Sequence, residues 1–261
     1  MLFKNQLIMN IKDNDTFFRN AKISHQKIAC LTAYDYPSAR LLDEAGIDLI
    51  LVGDSLGMVV LGHADTTQVT LEEIEHHLKA VRRGVSKSIV VADLPAGTAD
   101  TVALAVNSEL RLQSSGAEMV KIEGALDAQI RAIIVAGVPV MGHLGMLPQQ
   151  VLIEKGYRIK GKSPLEATRL LQEAHLIEDA GASAVVLELV TPLLAEQITK
   201  ELTIPTIGIG SGPHCDGQIL VLSDLLGLQP WFLPSFVKPK ADLATPFKQA
   251  VQEYINEVKQ Y

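Results

Sequence analysis

The chain has 261 residues, 48% of them apolar and only 5% aromatic, which suits one α/β barrel of about 250 residues, or two smaller domains, with an aliphatic core. A net charge of −7 with no basic run argues against nucleic-acid binding. No apolar run nears the roughly 18 residues that span a bilayer. Met1 to Gln6 carries no secretory h-region, and Cys30 and Cys215 make no disulfide framework, so a reducing cytoplasm is the expected setting.

Residues 1–24 read as an arm and a short helix near Asp15 to Asn20. Lys27 to Tyr34 reads as the first strand, followed by a helix from Ser38 to Ala45 that Pro37 opens and Gly46 closes. Leu49 to Val52 is a buried strand running into Gly53-Asp54-Ser55-Leu56-Gly57. After a long loop, Met58 to Val69, the capping box Thr70-Leu-Glu-Glu73 opens the next helix. Strand Ile89 to Ala92 ends on Asp93, and a helix runs from Thr101 to Gln113. Strand Glu118 to Ile122 ends on Glu123, and a helix carrying Ile130, Ile133 and Ile134 stops at Gly137. Val138 to Met141 is the fifth strand, closed by Gly142-His143-Leu144-Gly145, and Met146 to Lys162 is a second long loop. Ser163-Pro-Leu-Glu166 caps a helix ending at Gly181. Strand Ala184 to Leu187 ends on Glu188, Pro192 starts a helix to Leu202, and Pro205 to Gly210 and Ile219 to Leu222 complete the strands. Phe247, Val251, Tyr254 and Val258 mark an amphipathic helix expected on the outside. This alternation, with no linker, predicts one (β/α)8 TIM barrel over residues 1–261, with an open doubly wound sheet as the alternative.

Asp54, Asp93 and Glu123 end successive strands, whose tips stand side by side on one rim of a barrel. Carboxylates so placed repel unless a cation or a proton intervenes. Hard oxygen donors select Mg²⁺, held by one or two carboxylates plus water and substrate. No His/Cys cluster points to zinc. Asp54 and Asp93 also suit turns, which is the competing reading, whereas Glu123 is a poorer turn former. Glu188 sits in an apolar run before Leu189 and Val190. It is expected either to be desolvated with a raised pKa, as a general acid/base requires, or to be paired with a Lys or Arg. Lys121, two residues before Glu123, points to the same side, as an anion grip or a structural ion pair. His143 reads as a satisfied strand-end histidine in preference to a ring donor, and Ser55 and Tyr34 as strand-end hydroxyls. Gly208, Gly210 and Gly212 fall short of the dinucleotide fingerprint, and Gly161-Lys162-Ser163 falls short of a P-loop.

Several motifs recur in order: Thr32-Ala-Tyr-Asp35, Val52-Gly-Asp-Ser-Leu-Gly57, Val91-Ala-Asp-Leu-Pro95, Val120-Lys-Ile-Glu-Gly124, Gly142-His-Leu-Gly145 and Gly156-Tyr-Arg158. They continue through Leu187-Glu188, Ile204-Pro-Thr-Ile-Gly-Ile-Gly210 and Cys215-Asp-Gly-Gln218. From about Ile28 to Val237 the chain thereby resembles the ketopantoate hydroxymethyltransferase family. The resemblance implies a barrel of the phosphoenolpyruvate/pyruvate-binding type, Mg²⁺, and a homo-oligomer, commonly a decamer. It implies transfer of a hydroxymethyl group from 5,10-methylenetetrahydrofolate to 3-methyl-2-oxobutanoate, giving 2-dehydropantoate. Matched by motif, Asp54, Asp93 and Glu123 are expected at the metal, Asp54, Ser55, Asp93 and Lys121 at the oxoacid, and Glu188 as the proton acceptor. The chain departs from the family's usual residues at Ala96 to Ala99, Leu189 to Thr191, and Pro239 and Lys240. The rival readings are a Mg²⁺-dependent oxoacid carbon–carbon lyase on the same barrel, and a barrel that binds without turnover.

Overall fold

The computed structural model describes residues 15–261, so most of the N-terminal arm lies outside it. It divides into a unit ending at Ile219 and a unit from Leu220 to Tyr261. In the first, strands β1 (Ile28–Thr32), β2 (Leu49–Val52), β3 (Ile89–Asp93), β4 (Met119–Glu123), β5 (Val140–Gly145), β6 (Ala184–Glu188), β7 (Thr206–Ile209) and β8 (Gly217–Leu220) close into a parallel barrel in chain order. The Ile28 amide donates to the Asp216 carbonyl at 3.0 Å, joining the last strand's entry to the first strand.

The helices are α1 (residues 15–24), α2 (Tyr36–Ala45), α3 (Leu56–Val59), α4 (Leu71–Gly84), α5 (Val102–Ser115) and α6 (Asp127–Ala136). They continue with α7 (Val151–Glu154), α8 (Pro164–Asp179) and α9 (Pro192–Glu201). Their ends follow the sequence chemistry. Thr70 and Glu73 form both halves of the capping box at α4, and Gly46, Gly116 and Gly137 take the left-handed conformation that closes α2, α5 and α6.

The strands' period of two separates two cores. Ile50, Val52, Val90, Ala92, Val120 and Ile122 face the helices. Leu49, Leu51, Ile89, Val91, Met119, Met141 and Val186 fill the lumen, where Phe18 and Ala21 of α1 join the same cluster. The same alternation carries the next inward positions, 93, 121, 123, 143 and 188, to the C-terminal end of the lumen. Polar side chains replace aliphatic ones there.

Three element boundaries differ from the sequence reading. β8 begins at Gly217, two residues before the apolar run that marked it, because the chain packs too tightly against β1 there for a side chain. A Cβ on Gly217 would meet the Ile28 carbonyl oxygen at 2.5 Å. β5 runs on to Gly145, which places His143 inside the strand. The two long loops contain α3 and, after a 3₁₀ turn at Pro148–Gln150, α7.

Asp43 of α2 organises the α4–β3 connection. Its buried carboxylate accepts from the backbone amides of Ser86, Lys87 and Ser88 at 3.0, 2.9 and 2.8 Å, and from the hydroxyls of Ser86 and Ser88. Burial pushes its pKa up, but these bonds outweigh burial and hold it below the usual carboxylate range. Asp43→Ala is expected to cost about 3 kcal/mol or more in denaturant unfolding at pH 7, since several donors lose a charged acceptor. The folded pKa is depressed, so this contribution is present above the unfolded value and disappears as pH falls through the acid range. An equal loss at pH 3 and pH 7 would contradict the assignment.

Glu109 of α5 is the opposite case. It is 0% exposed, both carboxylate oxygens lack a hydrogen-bond partner, and burial pushes its pKa up to about 7. A raised acid subtracts stability as pH climbs from its unfolded to its folded value. Glu109→Leu is therefore expected to stabilise the protein by about 2 kcal/mol at pH 8 and by little at pH 5. A loss of stability at pH 8 would show that the carboxylate is needed.

In the second unit, α10 (Leu222–Leu225) precedes α11 (Ala244–Val258). The predicted apolar stripe of α11 is exposed in the single chain, with Phe247 and Tyr254 each 66% accessible. Among the described residues no helix is long and apolar enough to cross a membrane.

Candidate active site

Four neighbouring strands deliver the polar cap of the lumen. Asp93 pairs in register with Lys121, Glu123 with His143, and Gly145 with Glu188. Asp54 reaches the same cluster from the turn after β2, its amide donating to Asp93 Oδ2 at 3.1 Å. All of these side chains are buried except Glu188, which keeps 14% of its side chain accessible.

Lys121 is the hub. Its Nζ lies 2.9 Å from Asp93 Oδ1, 3.8 Å from Glu123 Oε1 and 3.3 Å from His143 Nδ1. Burial alone would neutralise it, but Asp93, Glu123 and Asp54 hold its pKa above the ordinary lysine value. Asp54 and Asp93 are both raised, first by burial; Asp93's charge adds to the rise at Asp54 and Glu123's to that at Asp93, both against the pull of Lys121. Glu123 is also pushed up by burial, yet His143 and Lys121 bring it below its usual value. Two acids shifted up and one shifted down thus share one rim.

His143 is the residue that sequence reasoning undervalued. It is not a satisfied strand-end histidine. Its Nδ1 lies 3.5 Å from Glu123 Oε1 and its Nε2 3.3 Å from Glu188 Oε2. Burial and the Lys121 charge push its pKa down, but the two glutamates prevail and bring it up to about 9. The two glutamates thus favour the protonated ring, and the partner of Glu188 is a histidine, not a Lys or Arg. The inward alternation of β5 was the available signal, and it was lost because the strand was ended at Met141.

Gln149 was also missed. Its side-chain amide donates to Asp54 Oδ2 at 2.9 Å and to the Leu94 carbonyl at 3.0 Å, while its backbone amide donates to Glu123 Oε2 at 3.1 Å. Nothing in a loop glutamine's neighbours marks it in the sequence. Ser55 opens α3 without capping it and instead pairs with the Tyr34 hydroxyl at 2.8 Å. The Tyr157 hydroxyl approaches Met58 Sδ at 3.8 Å, and its pKa is raised by burial and then by the charges of Glu188 and Asp54.

The backbone fixes Glu188 closely. The Met146 amide donates to the Glu188 carbonyl at 2.8 Å, and a Cβ on Gly145 (φ +97°) would collide with that oxygen. Leu189 follows with φ at 49°, a left-handed conformation costly for a γ-branched residue. It is held by its amide to the Ile209 carbonyl at 2.9 Å and by the Lys160 amide to its own carbonyl at 2.7 Å. Lys160 bridges to Val190 and is buried in an ion pair with Glu154, so the second long loop is pinned across the end of β6.

The donor set suits a hard cation. Four carboxyl groups meet Lys121 and His143, and Glu123 Oε1 is buried without a hydrogen bond, His143 Nδ1 and Lys121 Nζ standing 3.5 and 3.8 Å away. Among the described residues no three Asp, Glu, His or Cys side chains are gathered as ligands around one metal position. The arrangement matches an ion that takes one or two carboxylates and completes its shell with water and substrate.

The ketopantoate hydroxymethyltransferase family model matches residues 14–261. A 3-methyl-2-oxobutanoate hydroxymethyltransferase of Carboxydothermus hydrogenoformans is 49% identical, over 93% of this chain and 89% of its own. One of Enterococcus faecalis is 47% identical, over 95% and 92%. Among solved structures, 2,3-dimethylmalate lyase, a PEP mutase/isocitrate lyase superfamily member, shares the fold at TM-score 0.60 with 18% identity, over 95% of this chain and 88% of that one. Phosphonopyruvate hydrolase with oxalate and Mg²⁺ shares it at TM-score 0.63 with 13% identity, over 95% and 87%. The barrel fold is shared with these structures, and on the match along nearly its whole length this chain belongs to the ketopantoate hydroxymethyltransferase family.

Proposed function

We propose that the chain transfers a hydroxymethyl group from 5,10-methylenetetrahydrofolate to 3-methyl-2-oxobutanoate, with Mg²⁺ at Asp54, Asp93 and Glu123. The observation that carries this reading is the lumen cluster around Lys121, in which a buried cation, acids on adjacent strands and Glu188, paired with His143, face one space. Bound there, Mg²⁺ supplies Lewis acidity toward the carboxylate and 2-oxo group of the oxoacid. Lys121 offsets the substrate's negative charge, and Ser55, steadied by Tyr34, orients it. Glu188 takes the C3 proton, and the adjacent His143 imidazolium stabilises the carboxylate before transfer. The resulting enolate forms its new C–C bond to the one-carbon unit; water supplies the hydroxyl oxygen and tetrahydrofolate leaves. The exposed stripe of α11 supports assembly as a homo-oligomer.

The test is proton NMR of 3-methyl-2-oxobutanoate in D₂O with the purified protein, with and without Mg²⁺ and tetrahydrofolate. Mg²⁺-dependent loss of the C3 proton signal is expected. Folded protein that exchanges no proton under any condition would refute the oxoacid assignment. Exchange followed by cleavage of the oxoacid without folate would favour the lyase reading.

A further inference from the structure

A cavity of about 580 Å³ lies beside the acid cluster, between the loops that follow β3, β4 and β5 and helix α8. Glu123 and Gln149 line it on the lumen side, and Arg169 and Glu173 of α8 on the outer side. Gln149 is the partition, because its amide is fastened to Asp54 and to the Leu94 carbonyl. The volume exceeds what a small branched oxoacid needs and falls within the range of sites for drug-sized ligands, roughly 300–1,000 Å³.

The lining indicates the kind of molecule. Pro95, Leu126 and Leu147 give apolar walls, and Ala96, Gly97 and Ala99 leave one side open to a flat ring. Glu173 is a carboxylate on the outer side of this cavity that is short of donors. Its side chain is 29% accessible, and its ion pair is a single 3.5 Å approach from Arg169 Nε, whose own side chain is 62% exposed. Burial pushes the Glu173 pKa up, and the Arg169 and Lys160 charges only partly oppose this. A half-buried carboxylate in that condition is completed by two parallel N–H donors, as in a bidentate pair. The 2-amino-4-oxo edge of a reduced pterin presents such a pair.

We infer that this cavity receives the pterin of the one-carbon donor. Glu173 accepts from the ring's 2-amino and N3–H groups, and the ring's one-carbon end is directed past Gln149 toward Glu123. The inference rests on the function proposed above and adds the donor-recognising residue.

The experiment measures tetrahydrofolate binding by titration calorimetry, and the KM of each substrate, for the wild type, Glu173→Gln and the cavity-filling Ala96→Trp. In both variants tetrahydrofolate affinity is expected to fall tenfold or more, with the KM for methylenetetrahydrofolate rising in step and that for the oxoacid moving less than twofold. Tetrahydrofolate affinity within twofold of wild type in both variants would overturn the inference, as would equal rises in the two KM values. A wild type that exchanges the oxoacid proton but binds no tetrahydrofolate would instead remove the folate donor from the proposed function. GMP, which carries the same ring edge without the reduced pyrazine, is the control, and its binding more tightly than tetrahydrofolate would also overturn the assignment.

Discussion

Glu188→Gln is expected to lower kcat by about 10³-fold while the KM for the oxoacid moves only a few-fold. A positioned general base contributes about 10²–10⁴ to a rate, and glutamine keeps the shape while losing the basic oxygen. The setting of Glu188 favours a value above the bottom of that range. The residue stands at the end of β6, where Gly145 permits close approach of β5 and the left-handed Leu189 turns the chain away. That backbone cost is spent next to one carboxylate, as occurs where a site must be fixed in place. His143 Nε2 at 3.3 Å holds the Glu188 carboxylate in position. Steady-state kinetics and C3 proton exchange should fall together. If kcat falls while exchange persists, Glu188 acts after enolate formation; if neither falls, it is no part of the mechanism.

Much of this site was legible because strand geometry is simple. Four apolar runs ending on acids predicted a rim of carboxylates, and Asp54, Asp93, Glu123 and Glu188 do lie at or just past the ends of β2, β3, β4 and β6. The spacing of Lys121 and Glu123 predicted a shared side, which the 3.8 Å separation bears out. The residues that escaped notice were those whose role depends on distant partners. His143 is defined by Glu123 and Glu188, from two other strands, and Gln149 by Asp54 and Leu94. No local pattern encodes such meetings. The last strand was misplaced because its first residue is a glycine, chosen by the contact with Ile28 and not by burial of a side chain.

Lys121→Met separates the electrostatic roles of the site. Methionine retains much of the lysine stem and removes its charge, so the lumen stays filled while Asp93, Glu123 and Asp54 lose their common counter-ion. Breaking a buried pair on one side costs about 3–5 kcal/mol in other proteins, because the remaining charge is left uncompensated. Here the acids have two escapes. In the free protein Asp54 and Asp93, already raised, rise further and take up protons. With a divalent cation present, the extra negative charge favours the ion, so Mg²⁺ affinity is expected to increase by about tenfold. The oxoacid loses its cationic partner, and its KM is expected to rise about 100-fold, in line with the 2–5 kcal/mol carried by a truncated buried charge contact. Calorimetric Mg²⁺ titration at pH 8 and oxoacid saturation curves test the two effects separately. Opposite movement of the two affinities identifies Lys121 as the substrate's counter-ion. If metal and oxoacid affinity instead fell together in a folded variant, Lys121 would be a structural clamp that holds the acids in place for both.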